Sequence, residues 1–211
     1  MKLIGRSSSL FSRPCLMLAH ELAVPLELVV VASITETDPA QYAGNPALKL
    51  PSLRRDSGAL VFGCENICRA IAESSSSSST SLAARVVWPE QLRADLSRNA
   101  QELVWHAMSA QVQLVMGTVV NKLPADNAFF LKTRAGFEGA LDWLDANVDG
   151  ALAALPADRA VSLLELTLFA LLEHLPFRKT LSLDSRPALI RFARAFGERA
   201  CAQKTAYRFD A

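Results

Sequence analysis

A proline at the head of a predicted strand constrains the fold of this chain more than any other residue. Pro51 begins a strand predicted at 50–54, and a second strand follows at 59–61 after an Asp-Ser-Gly turn. Because proline has no backbone N–H, a sheet tolerates it at an edge, at the first residue of a strand or at a bulge. Two interpretations stay open here: an edge strand with a trans proline, or a cis proline that turns the backbone groups of the preceding residue out of the sheet.

The segments around this pair of strands alternate in type. The predicted elements are a strand at 2–5, a helix at 13–23, a buried strand at 26–31, a helical turn at 40–43 and a helix at 65–73. The order is therefore βαβ followed by ββα, which is the thioredoxin-like arrangement. We expect an α/β domain at residues 1–73.

A run of serines separates this part from a helical half. Residues 74–86 are predicted to be a linker and the start of a second domain, because the serine run has no large apolar side chains to pack. Residues 87–211 are predicted to form an all-α domain. Its helices are opened by Pro89, Ser162 and Pro187, with a further helix that ends near Gly150. Ser162 and Glu165 fit a capping box, so we interpret both as structural.

Composition excludes several classes of partner. Of 211 residues, 51% are hydrophobic and 20% charged, with a net charge of +1. This balance predicts a sizeable core and gives no electrostatic footprint for nucleic acid. No uninterrupted apolar run approaches the roughly 18 residues that span a bilayer. We therefore expect a soluble, cytoplasmic protein without nucleic-acid or membrane partners.

The four cysteines are too few and too scattered for a disulfide scaffold. Cys64 and Cys68 are four residues apart and can share one side of a helix, but a metal site would need further ligands. We predict no metal, and interpret the cysteines as buried thiols in a reducing compartment.

The motifs together resemble the glutathione transferase family. The residues that carry the resemblance are the first strand and turn (MKLIG followed by SSSLFSR at 7–13), the Asn-Pro and Leu-Pro-x-Leu pattern at 45–53, the strand LVF at 60–62, and the capping box at 162–165. The resemblance implies a thioredoxin-like N-terminal domain, an all-helical C-terminal domain and a homodimer. It also implies a cytoplasmic transferase of the detoxification type that uses glutathione as co-substrate.

Ser9 stands at the mouth of the first predicted helix. A helix N-terminus favours an anion, and a hydroxyl there can hydrogen-bond a thiolate, which is the nucleophilic form of a thiol. The resemblance implies that Ser9 is the catalytic residue, with Ser8 as second choice. The alternative is an N-cap serine without a catalytic task.

The resemblance also implies the glutathione contacts. These are Ser9, Phe11, Lys49, Leu50, Pro51, Cys64 and Glu65. One departure is plain: Gly63 and Cys64 occupy the positions of the family's acid-serine pair, which holds the γ-glutamyl end. Glycine removes a carboxylate and cysteine is a weak donor, so a charge-assisted bond of about 1.5–3 kcal/mol is lost unless Glu65 replaces it.

A second-substrate pocket is implied on the first long helix of the helical half, at Trp105, Met108 and Val112. The same spacing is also typical of core residues, and His106 is given no role. The leading hypothesis is a glutathione transferase that conjugates glutathione to a small hydrophobic electrophile. The alternative is a non-catalytic binding or scaffold protein, and Gly63 with Cys64 favours it. A thiol-disulfide reductase would need a cysteine in place of Ser9.

Overall fold

The computed structural model describes residues 1–75 and 82–210. The chain divides into two compact units, residues 1–86 with 198–211, and residues 87–197. Residues 76–81, the middle of the predicted linker, lie outside the described residues. Residues 198–211, which the sequence assigned to the helical domain, belong instead to the first unit.

The first unit is built on a four-stranded sheet of order β2-β1-β3-β4. Its strands are β1 (Lys2–Gly5), β2 (Glu27–Val30), β3 (Ser52–Arg54) and β4 (Leu60–Phe62). β2 runs parallel to β1, whereas β3 is antiparallel to both β1 and β4. The predicted thioredoxin-like arrangement is thus confirmed. β2 was predicted to be buried, but it is an edge strand with exposed ends, because only β1 pairs with it.

Helices α1 (Ser12–Glu21), α2 (Cys64–Ser74) and α7 (Ala200–Lys204) complete this unit, with a 3-10 turn at Pro39–Tyr42. The sequence did not indicate α7. α1 and α2 pack against each other, and α1 also contacts α7.

Arg13 explains why the C-terminal segment belongs to the first unit. Only 3% of this arginine is exposed. Its guanidinium donates to the carbonyl of Ala202 at 3.3 Å and lies 4.3 Å from the ring centroid of Tyr207. Arg199 pairs with Glu21 nearby. These contacts bind residues 199–207 to the first helix.

The helical unit is built on α3 (Asp95–Leu114), α4 (Ala128–Ala153), α5 (Leu163–Arg178) and α6 (Pro187–Gly197). Two short strands, β5 (Val86–Val87) and β6 (Val161–Ser162), precede α3 and α5. Pro89 was predicted to open the first of these helices, but it opens a 3-10 turn and α3 begins at Asp95.

α3 continues into a π-helical segment, Val115–Val120. A methyl group on Gly117 would lie 2.2 Å from the ring of Phe130, so only glycine lets α4 approach here. Together, Asp95–Val120 forms 26 helical residues, and an 18-residue window within them has a mean hydropathy of 1.3, which is long and apolar enough to cross a membrane by length and composition. Core helices of soluble proteins meet the same criterion, so the finding is weak evidence.

One face of α3 packs on α5. Gln101 donates to Thr167 at 3.3 Å, and Gln111 is 2.9 Å from the Nδ1 atom of His174. Met108 lies between these glutamines on the same face and is fully buried. α5 is buried on most sides, as its continuous apolar sequence predicts.

The predicted capping box is present at the start of α5. Ser162 Oγ accepts from the Glu165 N–H at 3.1 Å, and a Glu165 carboxylate oxygen accepts from the Ser162 N–H at 2.8 Å. Arg159 donates to the same carboxylate at 2.8 Å. Two backbone donors that a helix start leaves unpaired are thereby satisfied, and the central helix of the unit has a fixed first turn.

We expect Ser162→Ala to lower the free energy of unfolding by about 1–2 kcal/mol, because it removes a buried N-cap acceptor. Urea unfolding followed by circular dichroism measures this. The control is Ser109→Ala, an exposed serine on α3 with no hydrogen-bond partner among the described residues. Equal midpoints for the two variants would contradict a stabilising role for the capping box.

Candidate functional site

The register of the sheet brings the predicted site residues to one edge. Ser52 at the start of β3 pairs with Ile4 near the end of β1 and with Phe62 at the end of β4. The turn after β1, the residues before β3 and the residues after β4 therefore leave the sheet at the same end. These three segments carry Ser9, Leu50–Pro51 and Gly63–Cys64. The first and the third lead into the N-termini of α1 and α2, whereas the second leads into β3.

Ser9 lies three residues before the start of α1 and is half-buried. Its Oγ accepts from the Ser12 N–H at 3.2 Å, and its carbonyl accepts from the Arg13 N–H at 3.3 Å. The hydroxyl thus caps the helix as an acceptor, and its hydrogen has no acceptor among the described residues. A serine hydroxyl can do both at once, so capping and donation to a ligand are compatible. Phe11, also half-buried, immediately precedes the helix.

A residue near the C-terminus holds the turn that carries Ser9. The Asp210 carboxylate accepts from the Ser7 N–H at 3.0 Å and lies 3.6 Å from the Arg6 guanidinium. Arg6 also donates to the carbonyls of Val31 and Ala32. Sequence reasoning missed Asp210, since it is 203 residues from Ser7 and no local pattern marks it.

The Leu50–Pro51 peptide bond is cis, which decides between the two interpretations of Pro51. The loop before it is held by Asn45, whose side chain accepts from the Ala47 N–H and donates to the Lys49 carbonyl, both at 3.0 Å. The Leu50 N–H has no hydrogen-bond acceptor among the residues described. Lys49 is exposed, and no described carboxylate pairs with its ammonium.

Gly63 is the N-cap of α2, with a φ of 87° that side-chain-bearing residues rarely adopt. A Cβ built there would meet nothing within 4 Å, so the edge is open at this residue. Glu65, the proposed replacement for the missing carboxylate, lies in the first turn of α2. Its carboxylate is 2.7 Å from the Arg69 guanidinium, so a ligand ammonium would compete with Arg69 for it.

The Cys64 side chain turns inward, although its backbone starts α2 at the open edge. Its Sγ lies 3.9 Å from that of Cys15, which is also 3.9 Å from the Sγ of Cys68. All three thiols are at least nine-tenths buried. At the open edge Cys64 therefore presents its backbone N–H and not its sulfur. The sequence had shown only the Cys64 and Cys68 pair.

The three thiols differ in pKa because they lie close together. Hydrogen bonds from Cys15 and then Cys68 lower the pKa of Cys64 from 9.0 to about 5. Burial, and the hydrogen bond it donates to Cys64, raise the pKa of Cys15. The hydrogen bond with Cys15 lowers the pKa of Cys68, but its hydrogen bond with Cys64 and its burial outweigh that effect and raise it. The cluster thus favours one thiolate, on Cys64, held by two thiols.

The predicted substrate-pocket residues lie on α3. Trp105 and Val112 are half-buried, whereas Met108 is enclosed in the core of the helical unit, so a substrate would reach it only after a rearrangement. A different face of α3 forms a cleft of about 500 Å³ with α4. Its lining includes His106, Ala110, Phe129, Lys132 and Phe137. Periodicity alone did not distinguish this face from the core.

A family model described as the glutathione S-transferase N-terminal domain matches residues 8–74. A glutathione transferase family member from Pseudomonas fluorescens, solved with bound glutathione, is 20% identical, with a TM-score of 0.77 and 98% of each chain covered. A glutathione S-transferase from Methylobacillus flagellatus, also with bound glutathione, is 19% identical, with a TM-score of 0.73 and coverage of 98% of this chain and 99% of that one.

A maleylacetoacetate isomerase from Methylobacterium extorquens, with bound malonate and glutathione, is 15% identical, with a TM-score of 0.69 over 98% of this chain and 96% of that one. None of the curated proteins compared with this sequence matches it. The resemblance inferred from the sequence is confirmed: residues 8–74 form a glutathione S-transferase N-terminal domain, in a chain with the glutathione transferase fold.

Proposed function

We propose that this chain is a glutathione transferase-like enzyme that conjugates glutathione to a small hydrophobic electrophile. The observation that carries the proposal is Ser9. Its hydroxyl stands at the N-terminus of α1, already oriented by the Ser12 N–H, with its hydrogen available to a ligand. The N-terminal domain match and the glutathione-bound relatives support glutathione as the ligand.

The chemistry follows from the electrostatics of that position. The thiol of bound glutathione loses its proton to solvent, and the Ser9 hydroxyl donates to the resulting thiolate. The partial positive charge of the α1 N-terminus stabilises the same anion. The thiolate then attacks an electrophilic carbon. In a substitution, the bond to the leaving group breaks and its electron pair departs with that group; in an addition, the π bond of an activated double bond breaks, and its electron pair takes up a proton from solvent. No metal takes part in this scheme.

The remaining glutathione contacts are assigned along the same edge of the sheet. Backbone groups of Leu50 would pair with the cysteinyl part, since its N–H has no acceptor within the described chain. The Lys49 ammonium would meet a carboxylate of the tripeptide. Pro51 and Phe11 would bound the site, while Glu65 and the Cys64 N–H would receive the γ-glutamyl end. Trp105 and Val112 are the proposed contacts of the electrophile.

A second candidate function is a non-catalytic binding or scaffold protein on the same fold. Two observations favour it: Gly63 offers no carboxylate, and the Cys64 sulfur is turned away from the edge. Under this alternative, glutathione binds weakly or not at all. The two functions differ in a measurable quantity, the affinity of the chain for glutathione.

We also propose a cytoplasmic homodimer. All four cysteines are free and buried, which fits a reducing compartment. Several large apolar side chains at the end of the α3 helix and the start of α4 are exposed and would suit a subunit contact: Val119, Val120, Leu123, Phe129 and Leu131.

Ser9→Ala should lower the conjugation rate of the thiolate about ten- to hundredfold, because one hydrogen bond to a charged group, about 1.5–3 kcal/mol, is lost. Turnover with chlorodinitrobenzene measures the conjugation rate. Ultraviolet absorbance of the bound thiolate, followed against pH, measures the ionisation of the bound thiol. The bound thiol should ionise at higher pH in the variant. Ser9→Thr, which keeps a hydroxyl, is the control.

An unchanged pH dependence in Ser9→Ala would remove Ser9 from the mechanism. No glutathione binding by the wild type at millimolar concentration would favour the scaffold function.

Gly63→Glu restores the carboxylate of the family's acid-serine pair, which Gly63 lacks. We expect it to bind glutathione about ten- to hundredfold more tightly than Gly63→Ala, as measured by titration calorimetry. Both variants should lose stability by about 1–2 kcal/mol in urea unfolding, because a side chain at positive φ is strained. Gly63→Ala thus controls for the backbone effect. Equal glutathione affinities would show that the edge does not direct a carboxylate at this residue towards the ligand.

Size-exclusion chromatography with light scattering tests the dimer. The expected mass is twice the 22.9 kDa of one chain. Leu131→Glu places a charge among the exposed apolar residues and should shift the protein towards the monomer. Lys132→Glu, one residue further along α4, is the control for added charge. A monomeric wild type at micromolar concentration would contradict the proposal.

A further inference from the structure

Three sulfur atoms from two helices meet in the interior of the first unit. Cys15 comes from the first turn of α1, while Cys64 and Cys68 come from successive turns of α2. Two of the sulfur–sulfur distances are 3.9 Å, and all three lie within 4.8 Å of one another. Neither glutathione binding nor conjugation, as proposed above, uses this cluster.

The spacing fits one metal ion. Metal–sulfur bonds to first-row ions are about 2.3 Å long. A planar three-coordinate ion with such bonds separates its sulfurs by about 4.0 Å, and a tetrahedral ion by about 3.8 Å. The observed 3.9 Å agrees with either geometry, so the number of ligands has to distinguish between them.

The ligand set favours a soft, three-coordinate ion. Within the described residues, the group contains three thiols and no histidine or carboxylate. Zn²⁺ sites are almost always four-coordinate, and a fourth ligand here would have to be water in a place where the sulfurs are at least nine-tenths buried. Thiolates select Cu(I), which needs no fourth ligand.

The surroundings also suit thiolate ligands. Cys64 is the first residue of α2, where unpaired N–H groups and the helix dipole favour negative charge. The neighbouring Glu65 carboxylate is paired with Arg69 at 2.7 Å, which neutralises it locally.

We propose that Cys15, Cys64 and Cys68 form a three-sulfur binding site for Cu(I). Each thiol that becomes a thiolate ligand releases its proton to solvent, and copper remains in the +1 state, so no oxidant or reductant is consumed. The ion enters beside Cys64, the one of the three with measurable exposure, at 6%. Once bound, it joins α1 to α2.

The competing use of the cluster is a disulfide. A bond of about 2.05 Å requires two sulfurs to approach by almost 2 Å, and an oxidant to take up two electrons. The two sulfur–sulfur distances of 3.9 Å are closer to the geometry of a metal site, and the disulfide becomes an outcome of the test.

The test uses the full chain, reduced and free of oxygen. Cu(I) is supplied as its coloured complex with the chelator bathocuproine disulfonate, and loss of colour reports transfer to the protein. We expect one Cu(I) per chain and an X-ray absorption spectrum with three sulfur neighbours at about 2.3 Å. The melting temperature should rise on loading, since the ion binds the folded state.

Cys15→Ala and Cys68→Ala should each weaken Cu(I) binding more than about 100-fold, because even partners in the outer shell of a metal site change affinity by about 10–100-fold. Cys201→Ala is the matched control: Cys201 is equally buried, at 2% exposure, but belongs to α7 and lies outside the cluster. It should bind copper as the wild type does. If a cluster variant fails to fold by circular dichroism, the stoichiometry and sulfur count of the wild type still decide.

Four results would overturn the proposal. The first is that no Cu(I) moves from the chelator to the reduced wild type, and the second is that copper has two sulfur neighbours instead of three. The third is that Cys201→Ala loses as much Cu(I) affinity as the cluster variants, and the fourth is that Zn²⁺ displaces Cu(I) at equal concentration. If diamide instead closes a Cys15–Cys64 disulfide and the reduced chain takes up no copper, the cluster is a redox pair.

Discussion

Ser52 is paired on both sides, with Ile4 of β1 and with Phe62 of β4, and the candidate site depends on this register. A slip of one residue would move every side chain of β3 to the opposite face. Ser52 resists such a slip, because its buried hydroxyl donates to the Tyr42 carbonyl at 2.9 Å. The same pairing makes the segments around Ser9, Leu50 and Gly63 leave the sheet at one end.

Two helices begin at that end, and their N-termini give it its chemical character. A helix start offers unpaired N–H groups and a partial positive charge, so anions are favoured there whatever their source. At α1 the Ser9 hydroxyl oxygen already accepts a hydrogen bond from one of these N–H groups, that of Ser12. At α2 the N-cap is Gly63, which offers no side-chain acceptor, and the first thiol of the cluster follows it. The edge therefore favours a ligand thiolate in front of the helices and a protein thiolate behind them.

The sequence predicted what depends on short-range pattern and missed what depends on distant contacts. Most strand and helix positions, the capping box at Ser162 and the special role of Pro51 follow from residues within a few positions of each other. The burial of Arg13 does not, because its partner Tyr207 is distant in sequence. Nor does the place of Cys15 in the cluster, because Cys64 is distant from it in sequence. The edge position of β2 was missed for a related reason: β-branched residues indicate a strand but not how many neighbours it has.

Cys64 links the two candidate sites and also allows them to be separated. Its backbone N–H belongs to the open edge, whereas its sulfur points into the interior towards Cys15. A substitution of the side chain therefore removes a sulfur ligand and leaves the peptide N–H in place. A change at Gly63 acts in the opposite way, since a side chain there projects into open space and away from the cluster. If the two sites are energetically independent, the free-energy changes caused by substitutions at Cys64 and at Gly63 add up in a double-mutant cycle. A shift of α2 shared by copper and glutathione would appear as an interaction free energy between them.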